Sequence, residues 1–89
     1  MKKILRSPEQ LALQELLKAS RHSAQLTQES LAGKLGKPQS FVAKYEAGER
    51  LLNVIEFIYV VEALGKSPTE FMGELHQRIA GIQATENGK

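Results

Sequence analysis

Gly36 and Pro38 lie in the middle of residues 26–48 and force a sharp turn between two short helices. Thr27 stands just before Gln28 and Glu29, so its hydroxyl caps the first turn and Glu29 occupies the positive helix end. Leu31 and Leu35 then share one face, Ala32 beside them lets a neighbouring helix approach closely, and Gly36 supplies a left-handed stop. Pro38 has its φ preset for a first turn and no N–H to leave unpaired. The second helix therefore begins near Pro38 or Gln39, and Gly48 ends it.

The two faces of that second helix differ in kind. Val42, Tyr45 and Glu46 recur at spacings that place them inward, while Gln39, Ser40, Ala43, Lys44 and Ala47 share the outward side. Nothing bulky stands on the outward side. Such slimness suits a DNA major groove about 12 Å wide, where Gln, Ser and Lys can bond to base edges or phosphates. The pair thus predicts a helix-turn-helix with its second helix as the reading element.

The rest of the chain supplies a scaffold of matching size. Its 89 residues suffice for one small domain. Absence of cysteine fits a reducing cytoplasm, and no signal peptide or long apolar run suggests export or a membrane. The net charge of +2 is unevenly spread: residues 1–50 carry nine Lys and Arg against five Glu, residues 51–89 three against five. The basic half contains the helix pair, which suits a nucleic-acid face, although a difference of this size is also common on solvated surfaces. Residues 1–7 read as a mobile basic arm, 8–81 as the domain with its motif at about 27–47, and 82–89 as a frayed tail.

Ser7-Pro8-Glu9-Gln10 is a capping-box start for a first helix to about Ser23, with Leu13, Leu16, Leu17 and Ala24 expected inward. Asn53 and Glu56 open a fourth helix through Leu64, closed by Gly65. Its β-branched run 54–61 favours a strand by propensity, but the capping box, the glycine stop and the lack of a partner strand favour helix. Val54, Phe57, Val60, Val61 and Leu64 are expected in the core, which leaves Ile55, Ile58 and Tyr59 as surplus apolar surface. Ser67 and Pro68 open a fifth helix to about Gly81.

Leu26-Thr27-Gln28, Leu31-Ala32, Leu35-Gly36, the run from Val42 to Arg50, Ala63-Leu64-Gly65 and Ser67-Pro68 occur together in this order. In these residues the chain resembles the Cro/C1-type (XRE) family of phage repressors and small bacterial regulators, over roughly Leu13 to Met72. The resemblance implies an all-α, five-helix, lambda-repressor-like DNA-binding domain with helices 2 and 3 as the helix-turn-helix. It further implies that Gln28 bonds a DNA phosphate and braces the reading helix, that Gln39 and Ser40 read bases, and that Arg21 and Glu46 form a buried ion pair. Lys37 replaces an apolar residue and is expected to meet phosphate; Lys44 is placed to meet a guanine edge or a phosphate. Phe41 is expected to pack on Tyr45, with contact to a thymine methyl or sugar as the lesser alternative, and Ala43 and Arg50 are further candidates for DNA contact. Three departures stand out: Gln25 where a glycine often ends the first helix, Leu52 where a proline often follows the reading helix, and Phe57 and Val61 for the usual Leu and Ala. They put the path of the 49–53 loop, and with it the role of Arg50, in doubt.

The expected function is sequence-specific binding of double-stranded DNA as a homodimer on a near-palindromic operator, regulating transcription most simply as a repressor. Phe71, Met72, Leu75 and Ile79 repeat along the fifth helix and are the expected dimer stripe. No paired carboxylates, metal-ligand cluster or nucleophile with a base is present in the sequence, so neither an enzyme, a metal nor a cofactor is expected, and His22 and His76 read as lone surface residues. Two alternatives remain. One is an antitoxin using the same DNA face with a toxin partner on helix four or five; the other is a helical interaction module without DNA binding.

Overall fold

Short side chains placed one residue ahead of four of the five described helices start them, and Pro38 stands at the start of the remaining one without a side-chain cap. In the computed structural model, which describes residues 7–87, the order is α1 Pro8–Ser23, α2 Gln28–Leu35, α3 Gln39–Glu46, α4 Val54–Ala63 and α5 Pro68–Asn87. The Ser7 hydroxyl accepts from the Gln10 N–H at 3.0 Å, and Thr27 and Ser30 cap α2 reciprocally. Asn53 and Glu56 do the same for α4, and Ser67 accepts from the Glu70 N–H at 3.3 Å to open α5. The predicted basic arm lies outside the described residues, Ser7 apart, as does the end of the predicted tail.

Four helix ends use one device. Gln25, Gly36, Gly48 and Gly65 take positive φ, and the N–H of the following residue reaches back to a carbonyl of the last turn: Leu26 to Arg21, Lys37 to Ala32, Glu49 to Lys44 and Lys66 to Val61, at 2.8–3.1 Å. Gln25 is the one non-glycine among them. At Gly48 a Cβ would also stand 3.0 Å from the Gln14 amide, which would have to give way.

The core gathers Leu16 and Leu17 of α1, Leu31 and Ala32 of α2, Phe41, Val42 and Tyr45 of α3, Phe57, Val60 and Val61 of α4 with Leu64, and Phe71 and Leu75 of α5. Leu17, Leu31, Val42, Val60 and Val61 are fully enclosed, and burying a side chain of that size contributes roughly 1.5–3 kcal/mol. α2 packs chiefly on α3, and α1 on α5, so α3 rests on the rest of the bundle through α2 and α1.

Four expectations are corrected. Val54 is 63% exposed, because it lines an open groove of about 320 Å3 between the first turns of α4 and α5. Ala24 is exposed, as the cap residue beyond α1, and Ala12 takes an inward place. Phe71 and Leu75 are buried in the chain's own core, Phe71 edge-on to Phe57 of α4, and are not a free dimer stripe; Ile79 packs half-buried against the same core, and Met72 alone of the four is exposed. Phe41, by contrast, packs as expected: it is a core side chain, edge-on to Tyr45 with centroids 5.6 Å apart. Finally, α5 passes through Gly81 to Asn87: a glycine inside a helix costs about 1 kcal/mol against Ala without ending it.

Candidate nucleic-acid interface

The outward side of α3 is built on a chain of hydrogen bonds that starts in the core. Arg21 Nε donates to Glu46 Oε2 at 2.8 Å and Nη2 to Oε1 at 3.1 Å, while Nη1 donates to the Leu26 carbonyl at 2.9 Å. The two side chains are only 8% and 3% exposed. Burial alone would raise the Glu46 pKa, but the hydrogen bonds from Arg21 and Gln28 and the nearby positive charges hold it below the usual carboxylate range. The same bond raises Arg21. Glu46 is therefore a carboxylate at neutral pH, and a carboxylate only accepts.

That fixes the next amide. Gln28 turns Nε2 towards Glu46 Oε1, at 2.9 Å, so its Oε1 faces α3 and accepts from Gln39 Nε2 at 2.8 Å. Gln39, which is exposed, keeps Oε1 and one N–H beyond that bond, the acceptor–donor pattern that matches adenine N6–H and N7 and mismatches the two acceptors of guanine. An open notch of about 590 Å3 runs beside this chain, lined by His22, Leu26, Thr27, Gln28, Glu29 and Gln39 among others.

Ser40, Lys44 and Ala47 are exposed on the same side and Ala43 is half-buried. On the other flank, Lys37 Nζ stands 5.6 Å from the Phe41 ring centroid and the Arg50 guanidinium 4.8 Å from it. Arg50 also forks onto Glu56, Nη1 to Oε1 and Nη2 to Oε2, both at 2.8 Å. The Arg50 bond holds the Glu56 carboxyl down to about 2, helped by the Asn53 N–H.

A sequence profile of the helix-turn-helix family matches residues 17–71. The solved structure of an XRE-family like protein from Pseudomonas syringae pv. tomato str. DC3000 is 39% identical, over 85% of this chain and 93% of that one, with a TM-score of 0.78. The chain belongs to the XRE family of helix-turn-helix regulators. The clp gene regulator ClgR from Corynebacterium glutamicum, 23% identical over 89% of this chain and 84% of that one, shares the fold at a TM-score of 0.72. No curated protein matches.

As an XRE-family member the chain is a DNA-binding transcriptional regulator, of a family whose proteins are typically not enzymes. Of the residues singled out in the sequence, Gln28, Gln39, Ser40 and Lys44 come together on or beside the outward side of the XRE reading helix, with Lys37 at its start. Phe41 does not join them. The bracing expected of Gln28 is seen in its bonds to Glu46 and Gln39, and one partnership escaped the sequence. The Gln28–Gln39 bond joins two helices across the turn, and Glu56 was legible as a cap of α4 but not as the partner of Arg50, because that contact closes across an irregular loop. Among the described residues no helix is long and apolar enough to cross a membrane, and no His, Cys, Asp and Glu group is placed to hold a metal.

Proposed function

We propose that this protein is a repressor that binds a near-palindromic operator as a homodimer, with α3 in the major groove and Gln39 set on adenine. The observation that carries the reading is the Arg21–Glu46–Gln28–Gln39 chain, since an ionised core carboxylate dictates which atoms of the outermost amide face the bases. Ser40 reads the neighbouring base pair, Ala43 leaves room for the base edges, and Lys37 and Lys44 meet phosphates; Gln28 adds a phosphate contact from the notch.

The second copy sits on the apolar face of α4 together with Met72. Ile55 and Tyr59 are 55% and 61% exposed, and Val54, Ile55, Ile58, Tyr59 and Met72 include no charge, so the patch can meet itself across a two-fold axis without like-charge repulsion. A dimer separates its two reading helices by about 34 Å, one turn of duplex, and so requires a near-palindromic site.

Selection of bound sequences from random duplex DNA tests this directly. A symmetric site with an A·T pair under each Gln39 is expected, with log affinity falling against log salt by about 0.9 for each phosphate neutralised. Failure to enrich any sequence, or a flat salt dependence, would remove the DNA-reading role. Ile55→Glu with Met72→Glu should give a folded monomer by sedimentation and weakened operator binding. An unaltered dimer would place the interface elsewhere, and a monomeric wild type that still selects an asymmetric site would remove the homodimer.

A further inference from the structure

We propose that Arg50 is a positioning residue for base reading: it clamps the front of α3 to the first turn of α4 by stacking on Phe41 while forking onto Glu56. This rests on the reading of α3 given above. Phe41 immediately follows Gln39 and Ser40, so its ring sets the height and rotation of the two base-reading side chains. The ring packs in the core, edge-on to Tyr45. Over the same ring stands the Arg50 guanidinium, 4.8 Å from the centroid and nearer than Lys37 Nζ at 5.6 Å, a distance at which the negative ring face attracts a cation.

Arg50 is itself immobilised. Nη1 donates to the Leu51 carbonyl at 3.0 Å and to Glu56 Oε1, and Nη2 to Glu56 Oε2, which engages three of its five N–H donors. Glu56 is in turn tied to the start of α4, where Oε1 accepts from the Asn53 N–H at 3.0 Å and the Glu56 N–H donates to Asn53 Oδ1 at 2.8 Å. The clamp thus runs from Phe41 through Arg50 and Glu56 to the α4 cap. It needs a planar cation that can stack and fork at once, which a lysine ammonium is not.

The competing role is a phosphate contact, suggested by the notch of about 440 Å3 that Arg50 shares with Lys37, Ser40, Phe41 and Lys44. The two roles predict opposite signs for Glu56→Gln, which keeps the reciprocal cap of α4 and removes the charge from the fork. A phosphate-seeking Arg50 would be released, tightening every duplex and steepening the salt slope by about one unit. A clamp would be loosened: preference for the selected operator over single changes at the Gln39 and Ser40 base pairs should fall about five- to tenfold, with the salt slope unchanged. Arg50→Lys should reproduce that loss although the charge is kept.

Wild type is measured first. If it shows no base preference, the reading of α3 fails; if it discriminates and both variants retain its preference, or Glu56→Gln tightens binding, the clamp alone is overturned. The proton NMR spectrum of the wild type needs no variant to fold, and it should show the Arg50 δ-methylene protons displaced upfield by the Phe41 ring. Unshifted resonances would also overturn the clamp.

Discussion

Arg21 and Arg50 make nearly the same bidentate contact with a glutamate, on opposite flanks of the reading helix, yet one pair is buried and the other half-open. The Arg21–Glu46 side chains are 8% and 3% exposed, the Arg50–Glu56 side chains 39% and 19%. Water screens the second pair and has been removed from the first. The inner fork therefore fixes the fold and, through Gln28, the polarity of Gln39. The outer one has little stability to give, and its effect lies in geometry.

The sharpest way to break this comparison is to delete one arginine at a time. Arg21→Ala strands an ionised carboxylate in the core and should cost about 3–5 kcal/mol, a large share of what holds a domain of this size folded. Replacing both partners, Arg21→Met with Glu46→Leu, should recover most of that stability in urea titrations while abolishing preference at the base pair under Gln39. Arg50→Ala should leave the Tm close to wild type. If both single variants lost stability equally, burial would not be what separates the two forks.

Acid separates them next. Glu46 and Glu56 both have folded pKa values below those of the unfolded chain, so the folded protein binds fewer protons than the unfolded one as the pH falls through this range. The stability they contribute is complete above about pH 5 and is lost as the pH falls, the Glu56 share being gone only when the pH passes its value of about 2. Urea unfolding followed from pH 6 to pH 2 should show this decline in wild type. The slope should be flatter in the Arg21→Met, Glu46→Leu protein, and Glu56→Gln should flatten the lower end. A decline unchanged by either substitution would place the acid sensitivity in other carboxylates.

How much of this was legible in the sequence follows from the range over which each signal acts. A cap works within three residues, so Ser7, Thr27, Asn53 and Ser67 fixed the helix starts, and Gly36, Gly48 and Gly65 the ends. The Arg21–Glu46 pair spans twenty-five positions and was reached through the family resemblance rather than any local rule. An amphipathic stripe states that a face is apolar and not what covers it. Phe71 and Leu75 were therefore misassigned to a partner when the chain's own core covers them, and Val54 to a core that opens into a groove at that point. The Gln28–Gln39 bond and the Arg50–Glu56 fork depend on the angle between helices and on the path of a loop, which spacing along the chain does not encode.

Gln39→Ala probes the outer end of the inner fork's hydrogen-bond chain. It removes the bidentate amide but leaves Glu46 paired with Arg21 and Gln28, so it should lower adenine preference at one base pair by about 1–3 kcal/mol with little change in Tm. Preference that survives the substitution would assign that base pair to another side chain.

The smallest expected effect tests the turn beneath the inner fork. Gln25 adopts φ 59°, a left-handed conformation that its three counterparts at the other helix ends meet with glycine. This turn brings the Leu26 N–H onto the Arg21 carbonyl at 3.1 Å and sets the Leu26 carbonyl where Arg21 Nη1 donates to it. Gln25→Gly removes the steric cost of that conformation, of order 1 kcal/mol, but gives the unfolded chain more freedom, so the net gain should be about 0.5 kcal/mol. Because Gln25 is exposed and lies outside the chain from Arg21 to Gln39, operator preference should not change. Gln25→Val, β-branched and poorly suited to positive φ, should lower the Tm instead. Equal Tm values for the two variants would show that the turn carries no strain, and that Leu26 is held in place by Arg21 rather than Arg21 by the turn.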